Sequence, residues 1–100
     1  MSPSNRPYIS HARSFLAYIR KELGYTQAQF GEVLNVSRTW VATLEAGRHD
    51  HTPKVLTKYS DYLGIRNFEL MELKYMYPNL STEQDTFLQG LLRKKKGGNE

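Results

Sequence analysis

Apolar residues recur along this chain at the three- and four-residue spacing of a single helix face, in six separate segments. The segments cover about residues 10–23, 27–34, 37–45, 52–63, 67–77 and 81–93. No segment alternates apolar and polar residues with the period of two that marks a half-buried strand. The pattern therefore predicts an all-α protein.

Hydroxyl residues stand at or just before the start of five of these segments, with Ser10 as a possible cap of the first. Thr26, Ser37 and Thr52 each precede one, and a side-chain oxygen there can accept a bond from an unpaired N–H of the first turn. Ser81 is followed three residues later by Gln84, which is the spacing of a capping box. These residues predict where the second, third, fourth and sixth helices begin.

The connection between the second and third helices is short. It spans residues 34–36, and Asn35 is one of the few non-glycine residues that tolerate the positive φ of a sharp helix end. Gly31 has no side chain, so a crossing helix can approach it closely. This arrangement predicts a helix-turn-helix. The alternative is a plain helical hairpin with a polar outer face.

Four short motifs carry a family resemblance: Leu23-Gly24-Tyr25-Thr26-Gln27, Val36-Ser37-Arg38, Leu44-Glu45-Ala46-Gly47-Arg48 and Leu63-Gly64-Ile65. Through them the chain, from about His11 to Ile65, resembles the lambda-repressor/Cro-type helix-turn-helix family of phage repressors, restriction–modification controller proteins and antitoxins. That family usually has alanine where Gly31 stands and glycine where Asn35 stands. The resemblance implies a lambda-repressor-like domain of five to six helices that binds double-stranded DNA.

Length, charge and the resemblance together predict the domain organisation. We expect a flexible N-terminal arm over 1–9, the helix-turn-helix domain over 10–66, a helical extension over 67–93 and a flexible basic, glycine-containing tail over 94–100. Residues 1–66 carry nine Lys and Arg against five Asp and Glu, whereas residues 67–100 carry five of each. The formal net charge of +4 favours a polyanionic partner.

The start of the third helix offers the candidate base-reading side chains, because a recognition helix presents its N-terminal residues to base edges in the major groove. The candidates are Arg38, Thr39, Trp40 and Thr43. The Arg38 guanidinium can donate two bonds to guanine. Its alternatives are a phosphate contact or a surface ion pair, and for Trp40 the alternative is packing against a helix or a partner.

Candidate phosphate contacts surround this reading face. They are Thr26, Gln27, Ser37, Arg48, His49, Thr52 and Lys54, with a merely solvated lysine as the alternative for Lys54. In the resembled family the position of Gln27 binds a phosphate or braces the first recognition residue. The resemblance also implies a structural ion pair between Arg20 and Glu45.

The apolar residues of the last two helices are predicted to form a dimer interface. They are Met71, Tyr75, Met76, Tyr77, Phe87, Leu88, Leu91 and Leu92. The alternative is that the sixth helix folds back and buries them within one chain. A third possibility, implied by the antitoxin relatives, is that these helices bind a protein partner such as a toxin.

Other chemistry has little support in the sequence. The chain has no cysteine, no apolar run long enough for a membrane span, and no catalytic motif in a plausible cleft context. His49-Asp50-His51 lies in a loop without the spacing of a metal site. We expect a bacterial or phage-encoded cytoplasmic regulator, most simply a dimeric repressor or autoregulator reading a palindromic operator, with no enzyme activity, metal or cofactor.

Overall fold

The computed structural model describes residues 7–47 and 53–97, with side chains from 15–47 and 54–96. Over these ranges the chain forms six α-helices and no strand. Their bounds are α1 Pro7–Leu23, α2 Gln27–Leu34, α3 Arg38–Glu45, α4 Pro53–Leu63, α5 Asn67–Met76 and α6 Thr82–Gly97. The predicted all-α, six-helix architecture is confirmed.

Every one of these helices contributes buried side chains to the hydrophobic interior. The buried apolar residues are Phe15, Leu16, Ile19, Phe30, Leu34, Val41, Leu44, Leu56, Tyr59, Leu63, Leu70, Leu73, Leu88 and Leu92. Within each helix they recur three or four residues apart or lie side by side, so each helix turns one stripe inward. Burying these stripes is the main force that holds the helices together.

The predicted capping residues of α2 and α6 make the expected hydrogen bonds, whereas Thr52 lies outside the described residues. The Gln29 N–H donates to Thr26 Oγ1 at 3.1 Å, and the Thr26 N–H donates to Gln29 Oε1 at 2.9 Å, which closes a capping box at α2. Ser81 and Gln84 form the same reciprocal pair at α6. These bonds satisfy backbone donors that the first turn of a helix cannot pair.

Two helix ends lie outside the bounds that the sequence predicts. Helix α1 begins at Pro7 instead of about residue 10, and proline suits the first helical position because its missing N–H is not needed there. Helix α6 continues to Gly97, so residues 94–96 are helical and not part of a flexible tail. Lysine is a good helix former, and positive charge is favourable at a helix C-terminus.

Helix α6 folds back onto the domain and packs against α1 and α4. Leu88 and Leu92 are buried in the common core, and Gln89 Nε2 donates to the Tyr18 hydroxyl at 2.7 Å. The assignment of Leu88 and Leu92 to a dimer interface is therefore corrected, because the chain covers both side chains itself. Tyr77 is also used internally, with its ring 5.4 Å from that of Tyr18.

The remaining predicted interface residues fall into two groups. Met71 and Leu91 are half-buried, and Met71 packs against the core. Tyr75, Met76 and Phe87 are exposed, Tyr75 to 83%. These three exposed side chains are the members of the predicted interface that a second copy could still contact. No helix in the described ranges is long and apolar enough to cross a membrane.

Candidate nucleic-acid interface

The turn between α2 and α3 depends on two residues. Asn35 adopts φ 62° and ψ 45°, the left-handed conformation that ends α2. A Cβ built on Gly31 would lie 2.8 Å from the Val36 carbonyl oxygen, too close for any ordinary contact. The Val36 N–H donates to the Gly31 carbonyl at 2.8 Å, which holds the chain in this close approach. The missing side chain at Gly31 thus lets the start of α3 sit directly against α2.

A buried ion pair fixes α3 to α1. Arg20 Nε donates to Glu45 Oε2 at 2.6 Å and Arg20 Nη2 donates to Glu45 Oε1 at 3.0 Å, so the structure brings together the pair that the family resemblance implies. Arg20 Nη1 also donates to the Tyr25 carbonyl at 2.9 Å. The hydrogen bond with Glu45 raises the pKa of Arg20, against the lowering effect of burial. This fork geometry sets the orientation of α3 relative to α1.

Gln27 joins the same network. Its Nε2 donates to Glu45 Oε1 at 3.1 Å, so the amide is held at the start of α2 against the end of α3. The side chain is half-buried. Gln27 thus braces the Glu45 carboxylate, while its phosphate contact and its contact with the first recognition residue both stay predictions.

The start of α3 lies on the surface. Ser37, Arg38 and Thr39 are exposed, and Ser37 Oγ accepts a bond from the Trp40 N–H at 2.9 Å, as the capping prediction requires. Within the described ranges the structure has one ion pair, between Arg20 and Glu45. Arg38 has no acidic partner among these residues, so they do not support the alternative that Arg38 forms a surface ion pair. Thr43 is half-buried, and its hydroxyl donates to the Thr39 carbonyl at 2.7 Å.

Trp40 packs against the domain. Its ring centroid lies 6.3 Å from that of Tyr59, with the planes inclined by 23°, and the side chain is half-buried. The structure therefore favours the packing alternative for Trp40 over the base-reading one. Its ring anchors the first turn of α3 to α4, which leaves Arg38 and Thr39 as the outermost side chains of that turn.

The predicted phosphate contacts are only partly described. Thr26, Ser37 and Lys54 are exposed at the starts of α2, α3 and α4 respectively. Arg48, His49 and Thr52 lie outside the described residues, as does the whole His49-Asp50-His51 loop motif. In the described ranges no three His, Cys, Asp or Glu side chains come together as metal ligands would.

One cluster was not predicted. The Phe30 ring lies 5.5 Å from Tyr25 and 5.7 Å from Tyr62, and Lys95 Nζ lies 4.5 Å from the centre of the Tyr62 ring. Burial, followed by the hydrogen bond with Tyr25, raises the pKa of Tyr62 to about 12. The cation–π contact joins the last turns of α6 to the end of α4. Only the apolar stripe of α4 hinted at Tyr62, and nothing local pointed to Lys95.

Helices α2 and α3, joined by the tight turn at Asn35 and with the N-terminal end of α3 exposed, form a helix-turn-helix. In DNA-binding domains of this kind the second helix presents its N-terminal end to the major groove. A family model for this fold, of the Cro/C1 type, matches residues 16–69, which is just over half of the chain. The chain belongs to the Cro/C1-type helix-turn-helix family and is a DNA-binding regulator of that type. Neither a search of curated proteins nor a search of solved structures gave a match.

Proposed function

We propose that this chain is a sequence-specific transcriptional regulator that acts as a homodimer on a palindromic operator and represses transcription, including that of its own gene. The observation that carries the proposal is the exposed N-terminal turn of α3, with Arg38 and Thr39 outermost on a helix that the Arg20–Glu45 pair holds rigidly. Such a turn can enter the major groove without rearrangement of the domain.

Arg38 is the principal base reader in this proposal. Its guanidinium has the planar fork that matches the O6 and N7 acceptors of guanine, which is the most discriminating single contact in the groove. Thr39 offers a methyl group to thymine, and Thr43 a hydroxyl oxygen that can still accept a bond. The Trp40 ring packs on Tyr59 of α4 and so holds the first turn of α3 in place.

Phosphate contacts fix the position of the domain on the duplex. The exposed starts of α2, α3 and α4 favour anions through the positive end of each helix dipole, and Thr26, Ser37 and Lys54 lie at those starts. We assign the same role to Gln27 and, from the sequence, to Arg48, His49 and Thr52. In a dimer, two such surfaces would lie about one DNA turn apart, roughly 34 Å.

The proposal is tested by gel shifts with the DNA upstream of the chain's own gene, over a range of salt concentrations. Arg38→Ala should lose about 1–3 kcal/mol of binding free energy and relax the preference at one base pair in each half-site. Lys54→Ala should weaken all sequences alike and make the salt dependence shallower. Arg66→Ala, an exposed cation between α4 and α5, is the matched control and should change neither quantity.

A second function class is binding of a protein partner, such as a toxin, by the last two helices. The observation that favours it is the exposure of large apolar side chains on α5: Phe68 is 62% exposed and Tyr75 is 83% exposed. Sequence-independent DNA binding, together with a protein that co-purifies tightly and is released by Tyr75→Ser, would support this class in place of the operator-reading one.

A further inference from the structure

The outward side of α6 carries four residues spaced by four, three and four positions: Glu83, Phe87, Gly90 and Lys94. Steps of three and four keep residues on one face of a helix. The buried residues Leu88 and Leu92 mark the inward side. We call these four residues the outer stripe of α6.

The residues that the structure describes leave the outer stripe largely uncovered. Glu83 and Lys94 are exposed, and Phe87 keeps 42% of its surface exposed. A Cβ built on Gly90 would meet no atom within 4 Å. Glycine in a helix interior is unfavourable relative to alanine, and no contact with the described part of the chain requires it at this position. A glycine beside an exposed phenylalanine permits a second helix to approach closely.

The spacings within the outer stripe, which are four, three and four positions, are the same counted from either end of α6. When a second α6 is laid against the first in antiparallel orientation, each Phe87 falls opposite the partner copy's Gly90, and each Glu83 falls opposite the partner copy's Lys94. The charges agree with this register, because the first turn of α6 carries Glu83 and Asp85 and its last turn carries lysines. A parallel pairing would instead oppose like charges.

A groove beside the outer stripe is lined by further acidic residues. It has a volume of about 230 Å³ and is lined by Glu69, Glu72, Leu73, Glu83, Gln84 and Phe87. Three of these residues are carboxylates, so the groove suits a cationic segment. In the antiparallel register the basic end of the partner's α6 reaches this acidic end of the first copy.

We infer that the outer stripe of α6 is the self-association surface of this protein, occupied by α6 of a second copy in antiparallel orientation, with Phe87 of each copy over Gly90 of the other. The inference deepens the proposed function and rests on its homodimer. The stripe from Glu83 to Lys94 extends only about 16 Å along the helix. An interface of this size belongs to the small class, so dissociation should occur at about micromolar concentration.

The first test is charge reversal followed by sedimentation equilibrium of the full chain. Glu83→Lys and Lys94→Glu should each raise the dimer dissociation constant by about tenfold or more, since each places like charges together twice in the dimer. The double variant should return to within about threefold of the unmodified chain. Arg93→Glu is the control, because it makes the same charge change at an exposed position beside the outer stripe and should leave association nearly unchanged.

The second test uses the absence of cysteine from the chain. One sample of Glu83→Cys and one of Lys94→Cys are oxidised separately and then as a mixture. A disulfide needs Cα atoms within about 7 Å, and two copies of position 83 would be about 16 Å apart along the antiparallel pair. We therefore expect a cross-linked dimer from the mixture and not from either variant alone.

These outcomes separate this inference from the DNA-binding proposal. A monomer at all concentrations up to about 100 µM, cross-linking of either cysteine variant by itself, or equal loss of association in the Arg93 control would each overturn the antiparallel stripe. The gel shift with Arg38→Ala is read independently. A monomeric chain that still shows the Arg38-dependent shift would remove both the self-association surface and the proposed homodimer, and would leave the base-reading assignment standing. A dimer that neither Glu83→Lys nor Lys94→Glu weakens would remove only the outer stripe as the self-association surface.

Discussion

The Glu45 carboxylate accepts three side-chain hydrogen bonds, two from Arg20 and one from Gln27, and only 4% of the residue is exposed. We predict that Glu45→Gln destabilises the domain by about 3–5 kcal/mol, because it leaves the buried Arg20 charge without its counter-ion. The free energy of unfolding in urea measures the effect. Glu32→Gln, at an exposed position on α2, should change it by less than about 0.5 kcal/mol. An unchanged midpoint for Glu45→Gln would contradict the structural role of the pair.

The Tyr59 hydroxyl is buried and has no hydrogen-bond partner among the described residues. An unpaired buried polar group is unfavourable, so we predict that Tyr59→Phe leaves the stability at neutral pH unchanged or raises it by about 1 kcal/mol. Thermal and urea unfolding would show this directly. A loss of more than about 1 kcal/mol would indicate that the hydroxyl makes a bond elsewhere in the chain.

The same tyrosine predicts a loss of stability in alkaline solution. Burial, more than any neighbouring charge, raises the pKa of Tyr59 above its ordinary value, and burial likewise raises the pKa of Tyr77. The unfolded chain releases these protons above about pH 10 while the folded chain retains them. The stabilising contribution is therefore complete below pH 10 and falls above it, by up to about 1.4 kcal/mol per pH unit for the buried Tyr59 and by less for the partly exposed Tyr77. Tyr59→Phe should make the decline shallower, and an identical decline would rule out Tyr59 as a source.

At the scale of the helices, the α2–α3 turn leads to a prediction that opposes helix propensity. Gly31→Ala should favour a helix by about 1 kcal/mol, yet we expect a net loss of about 1–3 kcal/mol because the new Cβ would collide with the Val36 carbonyl. Gly90→Ala is the matched control. It lies inside α6 with open space around the new Cβ, so in dilute protein it should gain about 0.5–1 kcal/mol. Equal gains at both positions would mean that the turn relaxes freely.

Local signals explain why the helices could be predicted from the sequence. Thr26, Ser37 and Ser81 make caps with partners three residues away, and Asn35 ends α2 through its own backbone conformation. Each signal acts within a single turn of chain. The Arg20–Glu45 pair, in contrast, joins residues 25 positions apart and came from the family resemblance, not from any local pattern.

At the scale of the whole molecule, contacts between helices that are distant in sequence could not be predicted from the sequence. The apolar positions in the sequence of α6 show that the helix buries one face. They do not say whether α1, α4 or a second chain covers that face. For the same reason the sequence left two alternatives for the Trp40 ring, which were base reading and packing against a helix or a partner. Its stacking on Tyr59 depends on where α4 lies relative to α3, which is a property of the assembled domain. The candidate site was therefore predictable in its exposed polar residues and less so in its aromatic ones.

The position of α6 makes a last prediction about what the domain needs in order to fold. If α6 is part of the core, Leu88→Ala should remove about 2–5 kcal/mol from the free energy of unfolding, because the side chain is fully buried among residues of the other helices. Phe87→Ala, one position earlier and 42% exposed, should change the monomer by much less. Urea unfolding well below the concentration of association compares the two. A domain that keeps its stability with Leu88→Ala and loses it with Phe87→Ala would have α6 turned the other way, with its core face available for a partner.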